Sequence, residues 1–177
     1  MDSYRDLGIV VDSSHQHIRK VVAAAKAGGL MGELLRSTVC RTKYFTVTIF
    51  VSHIRPMIDY CCCLWNVGYL EDISRLEPLQ RRWTREISGV EALEYVARLK
   101  AIGLYSIQGR LLRADLVKIW KSFNRDIDVG ISELFEMAQN VGTRGHSLKM
   151  FIPICRSEVM RRSFGVRRVT LWNSLPS

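Results

Sequence analysis

No stretch of this chain reads as a membrane span. The most apolar run, Phe45 to Trp65, holds His53, Arg55, Pro56 and Asp59, and such residues are expensive inside a bilayer. It predicts a buried helix instead. The opening MDSYRDLG is charged and has no apolar core, so it is not a signal peptide. Five cysteines, an odd number, without a secretion signal point to reduced thiols inside a cell. The expectation is an intracellular protein of the nucleus or cytoplasm, not secreted and with no membrane partner.

Patterns that carry chemistry are scarce as well. Zinc sites use Cys-x-x-Cys pairs converging on one point. Cys61, Cys62 and Cys63 are adjacent and on a helix would point about 100° apart, while Cys40 and Cys155 stand alone. They predict small packed residues. His15, His17, His53 and His146 form no HExxH, no Ser/His/Asp order and no supported Cys/His pair. Glu71 and Asp72 fall at a helix start, where the dipole accounts for them. No aspartate pair has a strand-turn setting suited to two divalent ions. Neither GxGxxG nor GxxxxGK[ST] occurs, so no phosphate-cradling loop is expected. No cofactor and no metal are assigned to these residues, and an autonomous enzyme lacks any supporting constellation.

What is present describes a globular chain. Its 177 residues are 47% hydrophobic and 24% charged, enough to bury a core. The net charge of +9 favours a polyanionic partner. The charge is uneven: from Val141 on, Arg144, Lys149, Arg156, Arg161, Arg162, Arg167 and Arg168 face Glu158 alone.

The hydrophobic pattern predicts a mainly α protein. LGIVV (Leu7 to Val11) reads as a short buried strand. Asp12, Ser13 and Ser14 offer caps to a helix with Ile18, Val21, Val22, Ala25, Leu30, Leu34 and Leu35 on one face, weakened or bent at Gly28 and Gly29. A second helix is expected from Thr42 to Cys63, although TVTIFV also suits a strand; Pro56 should kink it or start a new segment. A third runs from Glu71 to Ile87 and begins afresh at Pro78. Glu91 to Ile102 and Ser106 to Phe123 follow, parted by Gly103, then a short helix from Ser132 to Gln139. HSLKMFIPI reads as extended, at an edge because of Pro153, and FGVRRVTLWNSLP as a last amphipathic segment.

Gln80-Arg81-Arg82-Trp83-Thr84-Arg85 places Arg81 and Arg85 on one helix face with Arg82 beside them. Such a stripe could contact phosphates while its aromatic stacks on a base or sugar. Equally, Trp83 could be core and the arginines a solvated face.

The segment DYCCCLWNVGYLEDISRLEPLQRRWTREISG resembles the region after the palm in reverse transcriptases of non-LTR (LINE-type, jockey-like) retrotransposons. The matching residues include Ile58, Tyr60, Trp65, Asn66, Glu77, Gln80, Arg81, Arg82, Thr84, Arg85 and Gly89. Asp6-Leu7-Gly8-Ile9 is similar to that family's Y-L-G-[IV] strand. RLKAIGLYSIQGRLLRADLVKIWK resembles its R-L-x-x-L-G-L-x-S-L-x-x-R-R-x-R-x-D-L segment. TRGHSLKM and RRSFGVRRVTLWNSLP, with Trp172 and Asn173, resemble its ending. The match covers nearly the whole chain in order. Pro78, Val67, Trp83 and Gly165 depart from the pattern.

The resemblance implies a helical thumb-like bundle with a short N-terminal strand and a small extended or irregular C-terminal segment. Residues 1–12 would be a palm-edge remnant, 13–89 the thumb, 90–140 post-thumb helices and 141–177 a basic extension. It implies a fragment of an RNA-directed DNA polymerase that grips an RNA–DNA or DNA duplex by its backbone. The palm aspartates that hold Mg²⁺ have no counterpart here, because the chain contains no Asp-Asp, so it should be inactive alone. Duplex contacts are expected from Arg81, Arg82, Arg85, Arg110 and Arg113, with Arg161, Arg162, Arg167 and Arg168 as a second patch. Other partners would be the palm and fingers region or a second copy of the chain. The alternative is a helical scaffold or interaction fragment with no nucleic-acid role.

Overall fold

The chain is mainly α-helical. The computed structural model describes residues 3–6, 9–12, 18–66, 70–124, 135–139 and 146–176, with the side chains of 3–25, 64–65 and 70–72 outside that description. Two compact units divide at Arg110/Leu111, within the helix Ile107–Phe123.

The N-terminus differs from the single strand expected at Leu7–Val11. Strands β1 (Ser3–Asp6) and β2 (Ile9–Asp12) pair antiparallel, with Ser3 opposite Asp12 and Asp6 opposite Ile9. An isolated hairpin of this size is marginal by itself, so the helices carry the fold of this unit. The expected caps Ser13 and Ser14, and His15 and His17, lie outside the described residues.

Helix α1 (Ile18–Ser37) runs unbroken through Gly28 and Gly29. A Cβ on Gly28 would stand 3.4 Å from Leu79 of the later helix Leu70–Arg85. That is close to ordinary van der Waals distance, so α1 packs against the later helix at Gly28 without a break in either.

The helix expected from Thr42 to Cys63 is not one element. Helix α2 (Lys43–Ile49) passes into a π-turn at Phe50–Ile54 and then α3 (Arg55–Asp59). The wide turn directly precedes Pro56, whose ring would collide with the Ser52 carbonyl in a regular α-turn. The helix ends at Asp59. Tyr60 leaves helical geometry and Cys61 takes a left-handed φ of 51°, a conformation that costs a non-glycine residue about 1–2 kcal/mol. Helix α4 (Cys62–Trp65) restarts behind it.

Helix α5 (Leu70–Arg85) runs on through Pro78 as one element, against the expected restart. Its inward face carries Leu76, Gln80, Trp83 and Thr84, all buried, and Ile87 lies just beyond its end. That stripe holds the helix despite the lost backbone bond. Phe50 and Trp83 pack at 5.9 Å, and the Trp83 indole N–H donates to the Thr46 carbonyl at 3.0 Å.

Helix α6 covers Tyr95–Ile102 rather than Glu91–Ile102. Gly89, at φ 88°, reverses the chain, and the turns Val90→Ile87 and Leu93→Val90 precede an extended Glu94. Ile87, Val90, Tyr95, Leu99 and Ile102 form one core cluster. Gly103 ends the helix in the left-handed region, and the Leu104 N–H returns to the Leu99 carbonyl. Helix α7 (Ile107–Phe123) follows. Ser106 caps it by accepting from the Gly109 N–H at 3.1 Å.

In the second unit, Ile119, Phe135, Met150, Val169 and Trp172 make a separate core. The helix expected at Ser132–Gln139 is not seen over its described part. Phe135–Gln139 is not helical, Met137 makes an isolated antiparallel bridge to Met150, and backbone bonds to residues 149–151 replace the helical ones. Residues 132–134 lie outside the described residues. The final amphipathic segment becomes the short helices Phe164–Arg167 and Val169–Asn173, preceded by Glu158–Arg162.

Candidate nucleic-acid interface

Helical geometry sorts Gln80–Arg85 into two faces. Gln80, Trp83 and Thr84 are buried; Arg81, Arg82 and Arg85 are exposed. The motif aromatic is therefore core, since Trp83 is 2% exposed and cannot stack on a base. The stripe is left with three guanidiniums. None has a carboxylate within 4 Å among the described residues. The Arg81 guanidinium lies over the Tyr95 ring, 4.7 Å from its centroid.

The inward face is a hydrogen-bonded network. The Gln80 amide donates to the Tyr105 carbonyl at 2.8 Å and to the Tyr95 hydroxyl at 3.3 Å. The Tyr95 hydroxyl donates to Glu77. Burial, and then the Glu77 carboxylate, push the Tyr95 hydroxyl far above the usual phenol range. Glu77 also receives the backbone N–H groups of Ile107 and Gln108 at 3.4 Å. A carboxylate there favours the positive end of α7.

The remaining arginines differ in how far they are committed. Arg110 is held by Asp59 at 2.6 Å. Arg55 stands beside this pair. Its Nε and Nη2 are buried with no acceptor among the described residues, and burial followed by the charge of Arg110 lowers its pKa. Arg113, in the second unit, is exposed. Arg161 and Arg162 both reach Glu158, at 3.5 and 2.7 Å. Arg167, its side chain 5% exposed, forms a two-pronged pair with the fully buried Asp115, at 2.7 and 3.0 Å. Arg168 meets the same carboxylate at 3.1 Å. The expected second patch is thus largely drawn into ion pairs, and Arg167 offers nothing to an outside phosphate.

The motif residues Trp172 and Asn173 do structural work in the second unit. The Trp172 indole N–H donates to the Leu148 carbonyl at 2.8 Å, and its ring stacks on Phe123 at 5.3 Å. Asn173 clasps the Met150 backbone, accepting its N–H at 2.9 Å and donating to its carbonyl at 2.8 Å. The Trp-Asn pair thereby pins the extended segment after His146. Of the other motif residues, Tyr60 is half exposed at the helix break. Asn66 is buried, its backbone N–H bonded to the Cys62 carbonyl. The Trp65 side chain lies outside the described residues.

Two residues escape a sequence reading. Arg98 is 4% exposed and lies on the apolar face of α6. Its Nε donates to the Thr84 hydroxyl at 3.3 Å and its Nη1 to the Leu93 carbonyl at 2.5 Å. Asp115 sits between Leu111 and Ile119 at i+4 spacing on α7. In each case the signal was a lone charge on an otherwise apolar stripe. Both also fall on the R-L and D-L positions of the resembling segment.

Among the described residues no three His, Cys, Asp or Glu side chains could share a metal ion, and no helix is long and apolar enough to cross a membrane. No protein-family model, curated protein or solved structure shows significant similarity to the chain.

Proposed function

We propose that this chain is a post-palm, thumb-like region of a non-LTR retrotransposon reverse transcriptase, and that it holds an RNA–DNA or DNA duplex through phosphate contacts without catalysing synthesis. The motif order along the chain supports the family reading. One structural observation supports the contact: Arg81, Arg82 and Arg85 are exposed together on α5 with no acidic partner among the described residues. Guanidiniums in that state suit phosphate oxygens and read no sequence.

Binding of a short RNA–DNA hybrid, followed against salt concentration, tests this. Each phosphate contact contributes about 0.9 to the slope of log K against log salt on a B-form duplex. Arg81→Ala/Arg82→Ala/Arg85→Ala should lower the slope by roughly 2–3 and weaken binding at low salt. An unchanged slope and affinity would refute the assignment. A second reading, a helical scaffold that self-associates, draws on Trp83 and Trp172 both being core residues while Val39 and Tyr44 are 95% and 84% exposed. Sedimentation velocity over a range of concentrations separates it: a strict monomer excludes it.

A further inference from the structure

Arg81, Arg85 and Arg98 border one open depression of about 410 Å³, together with Glu91, Leu93, Glu94 and Tyr95. It lies at the N-terminus of α6. This volume is within the range of small-ligand sites. Three features of it call for an anion. Arg98 is nine-tenths buried and has only neutral partners, the Thr84 hydroxyl, the Leu93 carbonyl and the face of the Tyr95 ring 5.7 Å away. Two of its five N–H groups are engaged, and a buried guanidinium without a counter-charge is costly. Next, α6 has no side-chain cap and no acid in its first turn, and the N–H groups of Tyr95, Val96 and Ala97 have no acceptor among the described residues. Such a helix end attracts anions. Finally, Arg81 and Arg85 add two more unpaired guanidiniums on the α5 side.

The two glutamates set the charge of the ligand. Neither comes within 4 Å of the three arginines. Backbone N–H groups, first that of Glu91 itself and then those of Gly89 and Val90, hold the Glu91 carboxylate below its usual range. Three guanidiniums against two carboxylates leave one net positive charge. That balance matches a singly charged phosphodiester better than a doubly charged free phosphate.

We propose that the depression framed by Arg81, Arg85 and Arg98 at the start of α6 is a cradle for one phosphodiester group, with Arg98 as its buried anchor. The cradle deepens the duplex-binding reading, on which it rests for the natural source of the phosphodiester. Arg98 makes it a defined subsite rather than a diffuse basic face.

The test uses the full chain, labelled with ¹⁵N. The thymine dinucleoside monophosphate, with one phosphodiester and no terminal phosphate, is titrated against matched sodium chloride, with inorganic phosphate in parallel. The Tyr95, Val96 and Ala97 amide resonances should shift saturably with the dinucleotide. Arg85→Ala and Arg98→Lys should each weaken that binding at least about tenfold, the scale of one charge-assisted hydrogen bond, and Lys121→Ala should not. Arg85 is exposed, so its variant reports even if Arg98→Lys unfolds. Saturation by inorganic phosphate with no response to the dinucleotide would overturn the phosphodiester assignment. Shifts no larger than those with chloride would overturn the cradle, even if the RNA–DNA hybrid still bound at the α5 surface. Dinucleotide binding here with no affinity for the hybrid would uphold the cradle and sink the duplex reading.

Discussion

Replacing Asp115 tests the second unit most directly. Its carboxylate is fully buried and accepts both prongs of Arg167 and one N–H of Arg168. Asp115→Ala leaves the Arg167 guanidinium, 5% exposed, with no counter-charge. Removing one partner of a buried pair costs about 3–5 kcal/mol. Arg168 is 24% exposed, so solvent screens it and its loss adds little. The measurement is amide hydrogen exchange at Met150, whose N–H is bonded to Asn173 and which lies in the core that Asp115 supports. A loss of about 3–5 kcal/mol accelerates exchange by roughly two to four orders of magnitude. The control is Asp115→Leu/Arg167→Met, which removes both charges. It should recover most of the protection, because an apolar pair of similar volume is often neutral. An Asp115→Ala change of less than about tenfold in exchange would show that the ion pair does not organise this core.

Three further outcomes follow from the same geometry. Pro78→Ala in α5 restores a backbone donor and removes a ring clash; urea denaturation should show a gain of up to about 3 kcal/mol, and no gain would mean that the helix accommodates the proline without strain. Tyr95 keeps its hydroxyl protonated in the folded state beyond its unfolded titration near pH 10. Its contribution is therefore complete below pH 10 and is lost as pH rises further, so the stability gap between wild type and Tyr95→Phe should shrink from pH 9 to pH 11, and a constant gap would contradict the raised titration that burial, and then Glu77, impose. Asn173→Asp turns the donor facing the Met150 carbonyl into an acceptor; thermal unfolding should report a loss of about 1–3 kcal/mol, and Asn173→Asp as stable as wild type would remove the clasp.

Where a residue's role is set by neighbours on its own helix, the sequence was a good guide. The spacing of Arg81, Arg82 and Arg85 put the three arginines on neighbouring positions of one helix but left Trp83 open between core and base stacking, which burial on α5 decides for the core, and Gly103 marked the end of α6. What could not be read depends on partners far along the chain. Asp115 and Arg167 are 52 residues apart, so a count of C-terminal arginines overstated the free positive surface there. The break at Cys61 was hidden for a different reason: a left-handed residue is normally signalled by glycine or asparagine, and a cysteine gives no such sign. The π-turn before Pro56 was half legible, since the proline announces a disturbance but not whether the helix kinks, restarts or widens.

The arginine partners change where a polyanion could sit. A phosphate approaching Arg167 would have to replace a buried carboxylate already bonded through both prongs, and approaching Arg110 it would have to displace Asp59. Those sites exchange one charge-assisted pair for another and gain little. At Arg81, Arg85 and Arg98 no acid has to be displaced, so the full strength of a new guanidinium–phosphate contact is available. Net charge alone pointed to the C-terminal tail. Counting only guanidiniums without a carboxylate partner moves the proposed site to the junction of α5 and α6, where a salt-dependent affinity should be lost with Arg85 and not with Arg161.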